Sequence, residues 1–350
     1  MREFTYRSRD GDVEVLVGVD HAEAVGKLVN RYTGCAAFIS RSVNNLVRVS
    51  CDSLVIDDGE SGKDVSTVLS IIKWAHDAGI DRDGIFLGIG GGSVLDVVGF
   101  SASIYLRGVD YVNVPTTMLS MVDASLGGKT GVNAMGIKNV IGVIKQPRAV
   151  IVDLSFLNTL PMPNYVDGFS EVMKYGVTMD KELFHYVIDN KDPLLSKERN
   201  ALEWVIYRSL INKALIVEKD ELDRTGDRAV LNYGHTVGHA IESASNFLIS
   251  HGRAVALGMI CEARIGVKLG YTSADVPKLL MNALSGYGLI TKFDLFDHVD
   301  KIARAISRDK KRSGGFLRLP VVFDVGRWGL VKVGVNDFVR LVIEECRSIP

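Results

Sequence analysis

Cysteine is scarce and scattered. The 350 residues hold four, Cys35, Cys51, Cys261 and Cys346, and no two of them form a C-x-x-C pair. That spacing excludes a zinc ribbon and a thioredoxin-type redox motif. The four are expected as small buried apolar residues in a reducing compartment, not as ligands or disulfide partners. Excess charge is also missing: 41 basic residues against 42 acidic ones leave a net −1. A chain built to hold nucleic acid would be basic, so no nucleic-acid partner is expected. No run reaches 18 apolar residues, and the opening MREFTYRSRD has no apolar core of a secretory signal. No membrane partner is expected, and the default location is cytoplasmic. Internal repeats and low-complexity segments are absent too.

What is present is ordinary globular material, 47% hydrophobic and 24% charged, long enough for two domains. Short β-rich runs at 13–19, 35–40, 54–57, 85–90, 111–115 and 150–153 alternate with helical periodicity at 21–32, 64–78 and 94–106. This rhythm predicts an α/β domain with a mostly parallel nucleotide-binding sheet. Between 125 and 142 a Gly-rich stretch reads as a small hairpin or irregular insert. Leu160-Pro161-Met162-Pro163 marks a boundary, since each proline restrains the residue before it. Beyond it helices are predicted over 165–178, 181–190, 197–219, 228–247, 253–269, 276–285, 295–307 and 336–345, with a β-pair at 316–323 and 329–333. The expected division is residues 1–158, an α/β domain, and 159–350, a mainly α-helical domain.

Gly90-Gly91-Gly92-Ser93 follows the strand 85–90 and opens a helix. Glycines at such a turn let a pyrophosphate approach the backbone, and the helix N-terminus stabilises its charge. Asp96 lies one turn into that helix, Asp57-Asp58-Gly59-Glu60 ends a neighbouring strand, and Thr116-Thr117 ends another. Acidic groups at strand ends commonly take a ribose, so these features together point to a nucleotide. The run departs from G-x-G-x-x-G, and a ligand-free glycine turn is the plainer alternative.

Asn232 to Ser243 reads NYGHTVGHAIES, with His251-Gly252 eight residues on, which gathers three of the chain's seven histidines within 17 positions. His235 and His239 are four apart and share a helix face, so spacing alone makes them a metal pair for an ion such as Zn²⁺. Glu171 and Lys174 are helical neighbours whose plain reading is a surface salt bridge. Their apolar and aromatic surroundings suit a surface less well, and a Glu with two His is a catalytic zinc set. Lys129, Lys138-Asn139, Lys213, Arg228 and Lys310-Lys311 sit in motifs and not in runs, which suits a small anionic ligand.

The phrases GGGSVLD, VPTTMLSMVDASLGGKTGVN, IKNVIG, FSEVMKYG, RAVLNYGHTVGHAIE, HGRAVALGM and DKK occur in one order over residues 55 to 315. In that order they resemble the 3-dehydroquinate synthase family of sugar phosphate cyclases. The resemblance implies zinc, or Co²⁺ in its place, on Glu171, His235 and His251, with His239 turned to the substrate phosphate. This replaces the His235–His239 pair that spacing alone selects. It implies NAD contacts at Asp58, Glu60 and Lys63, at Gly91, Gly92, Ser93, Val94, Leu95 and Asp96, and at Thr116 and Thr117. Lys129, Lys138 and the stretch Phe156, Leu157, Asn158, Thr159 complete that set. Substrate contacts are implied for Asp123, Lys129, Asn139, Lys174, Lys213, Arg228, Asn232, Lys310 and Lys311. Arg107 matches an arginine that reaches a neighbouring subunit, which implies a homodimer. Two positions depart from the family pattern: Arg253 stands where an acidic residue usually follows His-Gly, and Ile137 where a glycine usually precedes Lys-Asn.

The implied reaction is conversion of the sugar acid phosphate DAHP to 3-dehydroquinate in the shikimate pathway. An oxidation by NAD⁺ is later reversed, with phosphate elimination, ring opening and aldol closure as the other steps. The departing phosphate is the expected base for the C–H proton. A cyclase acting on another sugar phosphate, a metal-dependent polyol dehydrogenase of the related fold, and a non-catalytic NAD-binding scaffold are the alternatives. A neutral polyol needs no anion clamp, and an intact metal triad argues against the scaffold.

Overall fold

A computed structural model of the chain describes residues 1–290, 301–306, 315–347 and 349. Lys310, Lys311 and most of the helix predicted over 295–307 lie outside the described residues. The chain forms two compact units, Met1–Tyr165 with Arg199–Leu222, and Val166–Glu198 with Asp223–Pro350.

The first unit is built on strands β1 (Arg2–Ser8), β2 (Gly11–Val17), β3 (Cys35–Ser40), β4 (Asp52–Ile56), β5 (Ile85–Gly90), β6 (Asp110–Pro115) and β9 (Ala149–Val152). Their order across the sheet is β1-β2-β9-β6-β5-β3-β4. β1 runs antiparallel to β2, and every other pairing is parallel. β5 is buried along its whole length, the pattern of a strand covered on both faces. Helices α1 (His21–Val29), α2 (Val65–Asp77) and α3 (Gly92–Ile104) are the crossovers. α1 and α2 begin at Asp20 and Asp64, whose side chains accept from the backbone N–H three residues on. The expected insert is a hairpin, β7 (Lys129–Ala134) with β8 (Ile137–Ile144).

The second unit holds α5 (Phe169–Met179), which follows the short boundary helix α4 (Met162–Asp167), and α6 (Lys181–Asp189) and α7 (Lys191–Leu195). It also holds α9 (His235–Ala244), α10 (His251–Lys268), α11 (Val276–Gly286), the hairpin β10 (Phe316–Asp324) and β11 (Arg327–Gly334), and a last helix, Val335–Glu345. The division differs from the expected single break near residue 158. α8 (Arg199–Lys219) belongs to the first unit, where Tyr207 meets Phe4 of β1 edge-on at 5.6 Å and Arg199 donates to the Gly18 carbonyl at 2.7 Å. Lys213 therefore belongs to the nucleotide-type unit.

Three sequence expectations are corrected. β1 is a strand, although its residues are charged and polar enough that the sequence predicts none there. The helix expected over 228–247 is two pieces, a 3₁₀ segment Asp227–Asn232 and α9, separated by Gly234 at φ 80°. Only glycine takes that backbone without strain. The cysteines are paired, Cys35 with Cys51 and Cys261 with Cys346, each with Cα atoms 5.2 Å apart. Ala36 lies opposite Asp52 across the β3–β4 ladder, so pairing in register puts the preceding residues side by side. Cys261 on α10 meets Cys346 at the end of the last helix by packing.

Candidate metal and nucleotide sites

Glu171 and Lys174 lie one turn apart on α5, and both are fully buried. Their ion pair is therefore not a solvated surface pair. Lys174 Nζ bonds Glu171 Oε2, which leaves the other oxygen, Oε1, with no hydrogen-bond partner although it is buried. Two imidazole nitrogens face that oxygen: His235 Nε2 at 3.3 Å and His251 Nε2 at 3.6 Å. These separations are long for hydrogen bonds. They suit three donors around one tetrahedral ion, because ligands about 2.05 Å from zinc stand about 3.4 Å from each other. A buried carboxylate oxygen without a partner is costly, and a cation would relieve it. The residues fit the implied metal.

The sequence builds this corner by capping. His235 is the first residue of α9 and His251 the first of α10. Glu262 of α10, fully buried, accepts from Gly234 N at 2.8 Å and Val237 N at 3.2 Å and so caps the start of α9. Asp167 accepts from Ser250 Oγ at 2.5 Å and Gly252 N at 2.9 Å, gripping α10 on both sides of His251. Both histidines thus sit on fixed backbone. His235 Nδ1 lies 3.2 Å from the Tyr233 carbonyl, which sets Nδ1 as the protonated nitrogen and Nε2 as the donor of a lone pair. The α9–α10 contact is close because glycine faces glycine. A Cβ on Gly258 would fall on the Gly234 carbonyl oxygen, and one on Gly238 would lie 3.1 Å from Val255 Cα.

The charges are coupled. Burial works to raise the Glu171 carboxyl, but Lys174 and His235 outweigh it and hold it well below the usual range. Burial works to lower the His251 imidazolium, but the carboxylates of Glu171 and Glu242 on either side of the ring prevail and push it up to about 10.

His239 is exposed, its ring 5.3 Å from that of His235 and 5.9 Å from that of His251. It does not join Glu171. The set that converges is Glu171, His235 and His251, and His239 belongs to a second group with Glu242 and His251. Arg228 is buried and Asn232 exposed, both on the 3₁₀ segment before Tyr233. Arg253 is half-buried. Sequence reasoning missed Glu242, Glu262 and Asp167. Glu242 alone carried a signal, seven residues beyond His235 on the same helix face.

In the first unit, the chain leaves β3 for β4 on one side, then returns to β5 on the other, so the order reverses between β3 and β5. Ligands of open α/β sheets bind beyond the strand C-termini at such a point. Gly90 ends β5 there, and a Cβ on it would lie 2.9 Å from Ser40 Cβ and 2.7 Å from Val94 Cβ. Gly91 is the N-cap of α3 and has no side chain to cap it, so the first N–H groups of Gly92, Ser93 and Val94 remain available to an anion. Asp58 is held at the end of β4 by Ser40 and by Ser42 N at 2.9 Å. Glu60 accepts from Asn133 at 2.8 Å, and Lys63 pairs with Asp96 at 2.5 Å. Burial pushes the Asp96 carboxyl up to about 6, with Lys63 opposing. Thr116 bonds back to Gly90 O at 3.0 Å, and Thr117 is engaged by Ser120. These residues, with Leu95 on α3, lie at neighbouring strand and helix ends.

Others are placed differently. Phe156 and Leu157 are core residues, with Phe156 against the His21 ring at 4.8 Å, so their side chains face inward. Asn158 and Thr159 close that turn. Lys129 is an exposed residue of β7, and Lys138 and Asn139 are exposed on β8, Asn139 at φ 52°. Lys213 Nζ is 2.9 Å from Asp123 Oδ1 and donates to its carbonyl at 2.7 Å. Arg107 follows α3 in left-handed backbone at φ 70°.

Comparison with solved structures gives the fold. The fold is that of the sugar phosphate cyclases. A 2-deoxy-scyllo-inosose synthase in complex with carbaglucose-6-phosphate, NAD⁺ and Co²⁺ superposes with TM-score 0.88 at 23% identity, covering 98% of this chain and 100% of the other. A 2-epi-5-epi-valiolone synthase from Streptomyces hygroscopicus subsp. jinggangensis 5008, with NAD⁺ and Zn²⁺ bound, gives 0.85 at 23% identity over 99% and 98%. Family models for the 3-dehydroquinate synthase N-terminal and C-terminal domains match residues 53–167 and 168–312. The 3-dehydroquinate synthase of Saccharolobus solfataricus is 41% identical, covering 99% of both chains. That of Sulfolobus acidocaldarius is 42% identical, covering 96% of both. The chain belongs to the 3-dehydroquinate synthase family.

Proposed function

We propose that the chain converts DAHP to 3-dehydroquinate and phosphate, using NAD that is returned unchanged and one divalent cation. The observation that carries the reading within this chain is Glu171 Oε1, buried and without a hydrogen bond, with His235 Nε2 and His251 Nε2 facing it at 3.3 and 3.6 Å. When bound, the cation would acidify a substrate hydroxyl and polarise the carbonyl made from it, and the nicotinamide would take up and return a hydride. Zn²⁺ is the proposed ion, and Co²⁺ suits the same donors.

The chain's own residues do the rest. Lys174 neutralises one oxygen of Glu171, so the carboxylate presents the other. Arg228, His239, Lys129 and the Lys310-Lys311 pair hold the phosphate and carboxylate of the substrate and fix its orientation. Asp123, Asn139, Lys174, Lys213 and Asn232 are the remaining substrate contacts. Asp58, Glu60, Lys63, Lys129, Lys138, the Gly91–Asp96 turn, Thr116, Thr117, Asn158 and Thr159 hold NAD. Arg107 serves a neighbouring subunit, so the working form is a homodimer. No described helix is long and apolar enough to cross a membrane. A cytoplasmic location is part of the proposal, and the two disulfides are unusual there.

The test is to incubate the protein with DAHP, NAD⁺ and Zn²⁺ and to follow phosphate and NADH together. Phosphate release without net NADH supports the synthase. Net NADH on a polyol would replace it by a dehydrogenase, and neither product by a scaffold.

A further inference from the structure

Glu242 lies two turns along α9 from His235, and its carboxylate is nearly buried beside the first residue of α10. Its Oε1 is 3.5 Å from His251 Nδ1, while the other ring nitrogen, Nε2, faces Glu171. The ring therefore stands between two carboxylates, one on each nitrogen. The turn that carries Glu242 is fixed: its carbonyl accepts from Phe247 N at 2.8 Å and Ser245 Oγ at 2.9 Å as the helix closes. A carboxylate on a firm helix end, set against the far nitrogen of a metal-binding histidine, is suited to hold that ring's proton and angle.

We infer that Glu242 is the positioning residue of the metal site, keeping the proton of His251 on Nδ1 so that Nε2 gives its lone pair to the ion. The inference rests on the reading of Glu171, His235 and His251 as the metal ligands. It also gives a different role to the second group of potential ligands, His239, Glu242 and His251. In that group His239 Nε2 is 4.0 Å from Glu242 Oε2, wider than the spacing two zinc ligands adopt. Two ions would further need the His251 ring as a bridge. Glu242 accounts for its place without a second ion.

The test is zinc affinity measured by competition with a chromophoric chelator, for wild type, Glu242→Gln, Glu242→Ala, His239→Ala and Glu171→Gln. Wild type should bind one ion. Glu242→Ala should weaken binding about 10- to 100-fold, and Glu242→Gln, which keeps a carbonyl acceptor without the charge, by less. His239→Ala should bind as wild type. The visible absorption of bound Co²⁺ should shift in Glu242→Gln, a change that a packing role alone would not cause. Thermal unfolding of the metal-free variants separates folding from affinity, and if Glu242→Ala does not fold, Glu242→Gln carries the test. Affinity in Glu242→Ala within twofold of wild type, or an unmoved Co²⁺ spectrum in Glu242→Gln, overturns the inference. So do two ions in wild type with one lost in His239→Ala, since Glu242 would then be a ligand. If Glu171→Gln binds as tightly as wild type, the metal reading itself fails. Loss in Glu171→Gln with none in Glu242→Ala sinks only the inference.

Discussion

Gly258→Ala tests the α9–α10 packing that places His235 and His251. Alanine in a helix interior is intrinsically better than glycine by about 0.8–1.0 kcal/mol, so α10 considered alone would gain. The structure reverses the sign. The new Cβ would fall on the Gly234 carbonyl oxygen and lie 2.8 Å from Gly238 N. Neither atom can rotate away, because both are backbone and Gly234 is held at φ 80° with its N–H on Glu262. Forcing a methyl into a filled contact costs about 1–3 kcal/mol, and with backbone as the obstacle the upper end applies. The net expectation is a loss of about 2 kcal/mol. Urea unfolding followed by tryptophan fluorescence should show a lower midpoint at an unchanged slope. Because the obstacle is the residue before His235, zinc affinity should fall as well. A variant as stable as wild type or more so, with normal zinc binding, would refute the argument that this glycine contact places His235.

Other perturbations reach other parts of the molecule. His21 Nδ1 lies 2.7 Å from Asp153 Oδ2 and its Nε2 accepts from Arg48 N, while Ser155 N donates to Asp153 at 2.9 Å. Burial works to raise the Asp153 carboxyl, but these hydrogen bonds overcome it and hold it at about 2. A depressed acid stabilises the fold above its unfolded value and loses that contribution as the pH falls. Unfolding free energy should therefore drop by about 2 kcal/mol between about pH 4 and pH 2, with the slope reduced in Asp153→Asn; an equal slope in both would refute the assignment. Arg228→Ala should lower kcat/KM for DAHP about 10- to 100-fold with the metal retained, the loss of a charged hydrogen-bond donor, and an unchanged kcat/KM would remove Arg228 from the anion clamp. The disulfides close loops of 16 and 85 residues, so on chain entropy alone Cys35–Cys51 contributes about 3 kcal/mol and Cys261–Cys346 about 4.5. Alkylation in denaturant without reductant should find no free thiol; four free thiols would contradict the pairing.

Much of the first unit was legible because a buried parallel strand is a short apolar run with a glycine or proline stop. β3 and β5 lie at the predicted positions for that reason. β1 was not legible: only Tyr6 is fully buried in it, Phe4 is half-buried, and the remaining residues are polar. The set Glu171, His235 and His251, which the structure brings together, comes from the family's motifs; helix spacing selects His235 with His239, and His239 does not join Glu171. What the residues alone could not show is set by distant contacts. The break at Gly234 depends on a cap from Glu262, 28 residues away, and the start of α10 depends on Asp167, 85 residues from Gly252. The cysteine pairs depend on strand register and on the packing of the last helix, which sequence separation does not encode.

A crystal structure of the zinc-loaded protein, with the ion located by anomalous scattering at the zinc edge, decides between the ligand sets. One ion is expected, bound by Glu171 Oε1, His235 Nε2 and His251 Nε2, with Glu242 against His251 Nδ1 and His239 not coordinated. An ion held by His235 with His239, or by His239, Glu242 and His251, would contradict it.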